Sequence, residues 1–294
     1  MRHILVTGGN KGIGLAIVEA ILAEHSDTFV HMGSRDLERG RAAAARLTTE
    51  RPELGKRLDV VALDVADDRS VADAARTVEN KLAGERLYGI VNNAGIGSSG
   101  GDLEAVLETN VLGIRRVCEA FLALLEPKGG RIVNVTSASG PMFVAACSDE
   151  KQRFFVDAQI SWPMLRAFID DCLEMAKKGA TAFAANGLGD GSPYGLSKAC
   201  ANAYTVIVAR EHPALRVNAC TPGFIATDMT RHYAESAGKS PADLGMKTPA
   251  DGARAPMHLL FGTLEGNGRF YGSDAKRSPL DRYRAPGSNE YTGS

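Results

Sequence analysis

A short apolar run, His3-Ile4-Leu5-Val6, meets a glycine-rich turn, Thr7-Gly8-Gly9-Asn10-Lys11-Gly12-Ile13-Gly14. It is followed by Leu15-Ala16-Ile17-Val18-Glu19-Ala20-Ile21-Leu22, whose apolar residues recur at helical spacing. A strand that turns into a helix through so many glycines brings its backbone close to whatever lies above the turn. The start of the helix adds unpaired N–H groups and a partial positive charge. In an open α/β sheet this is the geometry of a pyrophosphate cradle. The pattern TGxxxGxG, carried by Gly8, Gly12 and Gly14, differs from the more widespread dinucleotide spacing with glycines at first, third and sixth positions.

The alternation of strand and helix continues through the first half. Short β-rich runs at Phe29–Met32, Val60–Leu63, Leu87–Val91 and Arg131–Val135 are separated by helical segments. These are Asp36–Glu50, Ser70–Leu82 with Ser70 in capping position, and one long segment from Asp102 to Leu125. Right-handed crossovers turn such alternation into a doubly wound parallel sheet. From Ala138 to Pro193 the pattern breaks into two helical segments, Ser148–Ala158 and Ser161–Lys178, the second capped by Ser161. About fifty residues bury too little apolar surface to stand alone. The segment at about 138–193 is therefore read as a helical insertion in a single domain, residues 1–272. Tyr194–Glu211 then reads as helix, Arg216–Cys220 as strand, Ala250–Leu260 as helix and Gly268–Tyr271 as a final edge strand. Ser273–Ser294, rich in charge, Pro, Gly and Ser, reads as an extended or partly disordered tail.

A net charge of −1 gives no general electrostatic case for nucleic acid or an anionic membrane as partner. No apolar run is long enough to span a bilayer. The chain starts almost directly on a strand without a signal core, so a cytoplasmic location is expected. Five cysteines, Cys118, Cys147, Cys172, Cys200 and Cys220, are scattered and lack metal-ligand spacing. They read as reduced buried thiols, and no metal is expected.

Two motifs carry proton chemistry. Tyr194-Gly195-Leu196-Ser197-Lys198 places a phenol and an ammonium on one helix face at i and i+4. A nearby positive charge favours the phenolate, which suits a proton donor to a developing alkoxide or a base in the reverse direction. Ser137 follows the run Arg131-Ile132-Val133-Asn134-Val135-Thr136, at a strand tip where open sheets place their sites, and can donate to a substrate carbonyl; Ser139 is its rival. Charge also argues for the cofactor. An NAD site commonly ends its second strand in an acid that grips the ribose diol. Here Arg35 follows Phe29-Val30-His31-Met32-Gly33-Ser34, and Lys11 stands in the glycine turn. Two cations converging there fit a 2′-phosphate, hence NADP(H). Asp36, one residue later, is read as an acid opening the next helix.

Taken in order, these elements resemble the short-chain dehydrogenase/reductase family over residues 3–271. The resemblance implies a Rossmann-type doubly wound parallel sheet and further roles. Asn92-Asn93-Ala94-Gly95 is similar to the family's NNAG element, so Asn92, Ala94 and Gly95 would support the sheet and wall the adenosine. Asp64-Val65 would contact adenine, through the carboxylate and backbone. Asn110, in Glu108-Thr109-Asn110-Val111, would disturb its helix and hold a water linked to Lys198. Pro222-Gly223-Phe224-Ile225-Ala226-Thr227 is similar to the PGxxxT element, so Pro222, Gly223, Ile225 and Thr227 would lie at the nicotinamide. Gly8, Asn10, Lys11, Gly12, Ile13, Gly14 and Arg35 complete the expected cofactor contacts, together with Tyr194 and Lys198.

The closer likeness is to the carbonyl reductase type, which includes plant monoterpenoid and alkaloid ketone reductases. It rests on the opening run from Val6 to Val18, on Ser34-Arg35-Asp36, and on the long separation of Ser137 from Tyr194. In that subgroup the insertion covers the helix face through which relatives dimerise, which implies a monomer. The expected activity is reduction of a ketone, aldehyde or quinone, a small-molecule carbonyl substrate, with Asn110, Ser137, Tyr194 and Lys198 as the catalytic set. The alternatives are a narrow-substrate biosynthetic dehydrogenase working toward oxidation and a non-catalytic cofactor-binding sensor. Met142, Phe143, Trp162, Phe224, Met229 and Tyr233 are candidates for the pocket wall.

Overall fold

The computed structural model describes residues 1–293. Eight strands form one sheet: β1 (Arg2–Val6), β2 (Thr28–Ser34), β3 (Leu58–Ala62), β4 (Leu87–Asn92), β5 (Arg131–Val135), β6 (Arg216–Cys220), β7 (Phe270–Tyr271) and β8 (Arg277–Ser278). Their spatial order is β3-β2-β1-β4-β5-β6-β7-β8, parallel throughout except for the antiparallel β7–β8 pair. β1 is buried from His3 to Val6, as a central parallel strand covered on both faces must be. The order reverses between β1 and β4, and Val6 stands in register with both Met32 and Val91 there. The crevice at this switch point is where such sheets bind ligands.

Helices α1 (Gly12–Glu24), α2 (Leu37–Glu50), α3 (Asp68–Leu82), α4 (Leu103–Leu107) and α5 (Gly113–Phe121) belong to the first half. The insertion holds α6 (Ser139–Ala145), α7 (Asp149–Val156), α8 (Trp162–Lys177) and α9 (Ala180–Ala185). The last three are α10 (Pro193–Glu211), α11 (Arg231–Ala237) and α12 (Pro249–Phe261). Two apolar cores result, one on each face of the sheet. Ile17, Val18 and Ile21 of α1 pack with Leu259 and Leu260 of α12 on one side. Val78 of α3 and Val117 of α5 lie in the other, together with Ala203 and Ile207 of α10 and the insertion.

Toward the amino ends of the strands, three polar side chains bond in a row across the sheet. His3 Nδ1 lies 3.1 Å from His31 Nε2, and His31 Nδ1 lies 3.0 Å from Asp59 Oδ1. His31 is fully buried, and Lys81 closes the row by pairing with Asp59.

Several local expectations change. The segment from Asp102 to Leu125 is not one helix: a π-helical turn at Glu108–Leu112 separates α4 from α5, and a 3-10 turn follows at Leu122–Leu124. Asp67, not Ser70, caps α3; its carboxylate accepts from the Ser70 N–H at 2.7 Å. Ser161 occupies the capping position of α8 without a side-chain hydrogen bond, whereas Asp36 caps α2 by accepting from the Arg39 N–H at 3.0 Å. The insertion contains α6 and α9 besides the two expected helices. β7 is not the edge, because β8 pairs along it.

The tail is also more ordered than its composition suggests. Asp274 accepts the Gly287 N–H at 2.9 Å and pairs with the buried guanidinium of Arg284, while Tyr291 donates its N–H to the Arg277 carbonyl at 3.1 Å. Its charges are used against one another, so charged composition here does not mean a solvated chain. Ser294 lies outside the described residues.

Candidate active site

The glycine turn leaves β1 at the switch point. Gly8 and Gly12 have φ of +62° and +54°, the left-handed region that favours glycine. Gly14 is required for a different reason, since a methyl group there would strike the Gly8 carbonyl oxygen and the Asn93 amide. Lys11 stands at the capping position of α1, but its side chain makes no cap, so the helix start keeps N–H groups for a ligand. Asn10 lies half-buried in the turn, and Ile13 packs against Gly252 of α12.

The turn is tied to β4 mostly through Thr7 and Asn93, neither singled out by sequence reasoning. The Thr7 hydroxyl oxygen accepts from the Asn93 and Ala94 N–H groups at 3.0 Å each. The Asn93 amide donates to the carbonyls of Thr7 at 3.0 Å and Gly8 at 3.2 Å. Ala94 packs against Gly8. Asn92 serves the sheet side of that expectation and not the wall: it is 2% exposed and donates to Asn134 Oδ1 at 2.9 Å within the sheet. The doubled asparagine was the available signal, and strand alternation sends only the second of the pair to the turn.

At the end of β2, Arg35 is exposed and has no hydrogen-bond or ion-pair partner among the described residues. Lys11, by contrast, is paired. The Lys11 ammonium lies 2.9 Å from Asp228 Oδ2, and this pairing holds the Asp228 carboxyl below the usual carboxylate range. Asp64, half-buried, donates its N–H to the Ser70 hydroxyl oxygen at 2.9 Å and accepts the Ala66 N–H at 3.1 Å. Val65 is buried against Gly113.

Ser137 and Tyr194 are brought together by a close helix crossing. A methyl group on Gly140 would come within 2.9 Å of the Lys198 carbonyl carbon and 3.0 Å of the Ala199 nitrogen, so α6 can lie on α10 only with glycine there. Pro193 and the Ser192 cap, which accepts the Gly195 N–H at 3.4 Å, start α10 so that Tyr194 sits in its first turn. The Ser137 hydroxyl lies 3.2 Å from that of Ser139 and accepts the Ser139 N–H at 3.1 Å. Burial pushes the Tyr194 phenol above its ordinary value, while a hydrogen bond with Ser137 moderates the rise and the Tyr233 phenol adds a smaller push upward.

Lys198 is 4% exposed, and burial brings its ammonium down to about 8. Its Nζ donates to the Val135 carbonyl at 3.4 Å and stands 5.5 Å from the centroid of the Tyr194 ring. The phenol's shift is set by its own burial, with no contribution from Lys198 in this structure. A neutral phenol is nevertheless the form a proton donor needs.

Asn110 sits fully buried in the π turn. Its amide group donates to the Ile96 carbonyl at 2.9 Å and to the Ser197 hydroxyl oxygen at 3.0 Å, and its Oδ1 accepts the Ile96 N–H at 2.9 Å. A methyl group on Gly95 would meet Asn110 Oδ1 at 3.0 Å and Lys198 Nζ at 3.5 Å. Gly95, Asn110 and Lys198 thus meet at one point behind Tyr194.

The segment after β6 closes the other side. Pro222 is buried, and Gly223 takes φ of +95° against Ser273. Ala226 donates to the Lys247 carbonyl at 2.9 Å and Lys247 to the Phe224 carbonyl at 2.8 Å, an arrangement that turns the backbone polar groups of Ile225 the other way. The Ile225 carbonyl accepts from Thr230 at 2.6 Å, and the Thr227 side chain packs against Gly12. Of the candidate wall residues, Met142, Phe224 and Tyr233 are exposed, with the rings of the last two 6.0 Å apart, and Met229 packs against Gly97. Phe143 is core, and Trp162 stands edge-on to Tyr204 with Arg115 over its face, away from the cleft.

Among the described residues no group of three His, Cys, Asp or Glu could hold a metal ion, and no helix is long and apolar enough to cross a membrane. The cradle does fit a dinucleotide: Gly14 has no room for a side chain, the start of α1 is uncapped, and Arg35 is unpartnered.

The sequence matches the family model described as short chain dehydrogenase over residues 2–148. It is 34% identical to carbonyl reductase [NADPH] 1 of Pongo abelii, over 89% of this chain and 91% of that protein. It is 31% identical to (+)-neomenthol dehydrogenase of Arabidopsis thaliana, over 88% of this chain and 91% of that one. The fold is similar to that of menthone neomenthol reductase from Mentha piperita, with a TM-score of 0.75, 26% identity, and 92% and 98% of the two chains covered.

Proposed function

The chain belongs to the short-chain dehydrogenase family, and on that premise we propose that it is an NADPH-dependent carbonyl reductase acting on a ketone, aldehyde or quinone. The observation that carries this reading is the convergence of Ser137, Tyr194, Lys198 and Asn110 beside a cradle that excludes a side chain at Gly14. NADPH, when bound, supplies the hydride. Gly8, Asn10, Gly12, Ile13 and Gly14 would hold its pyrophosphate, with Lys11 and Arg35 at the 2′-phosphate. Asp64, Val65, Ala94 and Gly95 would hold the adenosine, and Pro222, Gly223, Ile225 and Thr227 the carboxamide end.

Ser137 orients the substrate carbonyl, and Tyr194, kept protonated by its burial, delivers a proton from its hydroxyl to the carbonyl oxygen. Lys198 would hold the nicotinamide ribose and, with Asn110 behind it, would restore that proton. The reading includes a cytoplasmic monomer. Replacing Tyr194 by Phe tests it. Turnover with a panel of quinones, ketones and aldehydes is expected to fall about 10²–10⁴-fold, while NADPH affinity by fluorescence titration stays near that of the parent. Near-normal turnover would remove Tyr194 from its role. The dehydrogenase name of the Arabidopsis relative favours a second reading, oxidation of one narrow alcohol substrate. A protein inert toward the whole carbonyl panel but active with an alcohol and NADP would support it.

A further inference from the structure

The Lys11–Asp228 pair joins positions 217 residues apart and bridges the two loops that flank the cofactor cleft. Asp228 is engaged on its other side as well, accepting from Arg231 at 2.7 Å at the first residue of α11. Both side chains of the bridge are more than half exposed, 63% and 57%, so the pair can open. Arg35, the other cation at this end of the cleft, has no such partner among the described residues.

We infer that Asp228 is a cofactor-selectivity residue: an internal carboxylate that competes with the 2′-phosphate of the cofactor for Lys11. The inference rests on the proposed reading that Lys11 meets that phosphate. An ammonium is a compact point charge. A carboxylate and a phosphate that share one repel each other. Binding therefore either opens the Lys11–Asp228 contact or tolerates two anions side by side, and either way affinity falls. A cofactor without the 2′-phosphate escapes the penalty. Asp228 thus narrows the preference for NADPH over NADH, and Arg35 supplies most of the discrimination. An exposed ion pair of this kind shifts an equilibrium only modestly, about two- to fivefold.

The test is a binding experiment without turnover. NADPH and NADH are titrated by nicotinamide fluorescence into the parent protein, Asp228→Asn, Asp228→Glu, Lys11→Ala and the Lys11→Ala/Asp228→Asn pair, at low and high salt. Expected is a two- to fivefold tighter NADPH complex for Asp228→Asn at low salt, shrinking at high salt. NADH binding should barely change, Asp228→Glu should behave like the parent, and the gain should vanish in the Lys11→Ala background. If Lys11→Ala weakens NADPH but Asp228→Asn leaves it unchanged or weaker, the competition is overturned while the cofactor reading stands. A gain that survives in Lys11→Ala overturns it as well and traces the effect to Arg231 and α11. If the parent does not prefer NADPH, or Lys11→Ala does not weaken it, the cofactor reading itself fails and the inference falls with it.

Discussion

Lys198 carries a large electrostatic penalty for its place in the site. Its charge is buried, its one hydrogen-bond partner among the described residues is the Val135 carbonyl, and its ammonium is brought down to about 8 from 10.5. For a base whose folded value is depressed, the penalty is fully present below about pH 8 and fades as the pH rises toward 10.5. The shift corresponds to roughly 3 kcal/mol at neutral pH. Lys198→Met is therefore expected to melt several degrees higher than the parent at pH 7, to lose that advantage by about pH 10.5, and to be catalytically dead. A variant no more stable than the parent at pH 7 would show that the buried charge is better compensated than its surroundings suggest. The Tyr194–Lys198 relationship was legible because helical spacing alone sets it. The direction of Lys11 was not, because its partner Asp228 is remote in sequence and no local pattern links the two.

Among the elements, the crossing of α6 on α10 and the π turn before α5 decide whether the catalytic groups meet. Gly140→Ala would force α6 away from the α10 backbone and carry Ser137 with it. Turnover is expected to fall by at least tenfold while NADPH affinity changes little, a split that steady-state rates and a fluorescence titration would reveal. Asn110→Leu would leave the Ile96 N–H and carbonyl without their side-chain partners. It should lower stability by about 1–3 kcal/mol, read from the urea midpoint, along with activity. Periodicity alone ran the helix from Asp102 to Leu125, and the interruption at Asn110 was legible only through the family resemblance, because one polar residue does not break a helical pattern. α11 gave even less signal, since Arg231–Ala237 is short and polar. The strands were easier to read, because residues buried on both faces leave unbroken apolar runs.

Across the whole molecule, α10 is buried along nearly its full length, from Gly195 to Ala209. A helix covered on every side needs partners beyond the sheet. Phe155 of α7 and Leu165, Phe168 and Ile169 of α8 join its core, and Arg210 donates to the Ala158 carbonyl at 2.8 Å. A second subunit would have to displace this cover, so light scattering at low micromolar concentration is expected to give the mass of one chain, 31.1 kDa. A stable dimer would assign the insertion another task. The insertion was legible as helical, but its role in wrapping α10 depends on contacts that a sequence does not display.

The row His3–His31–Asp59 gives the molecule a weakness unrelated to its chemistry. Burial and the neighbouring His31 push the His3 imidazole below its ordinary value of 6.5, so the unfolded chain takes up a proton more readily than the folded one as the medium acidifies. Stability should decline as pH falls below about 6.5, and a His3→Phe variant should resist that decline. The enzyme's tolerance of acid would then be set at the floor of its sheet, where a falling pH would weaken the fold before the catalytic groups changed charge.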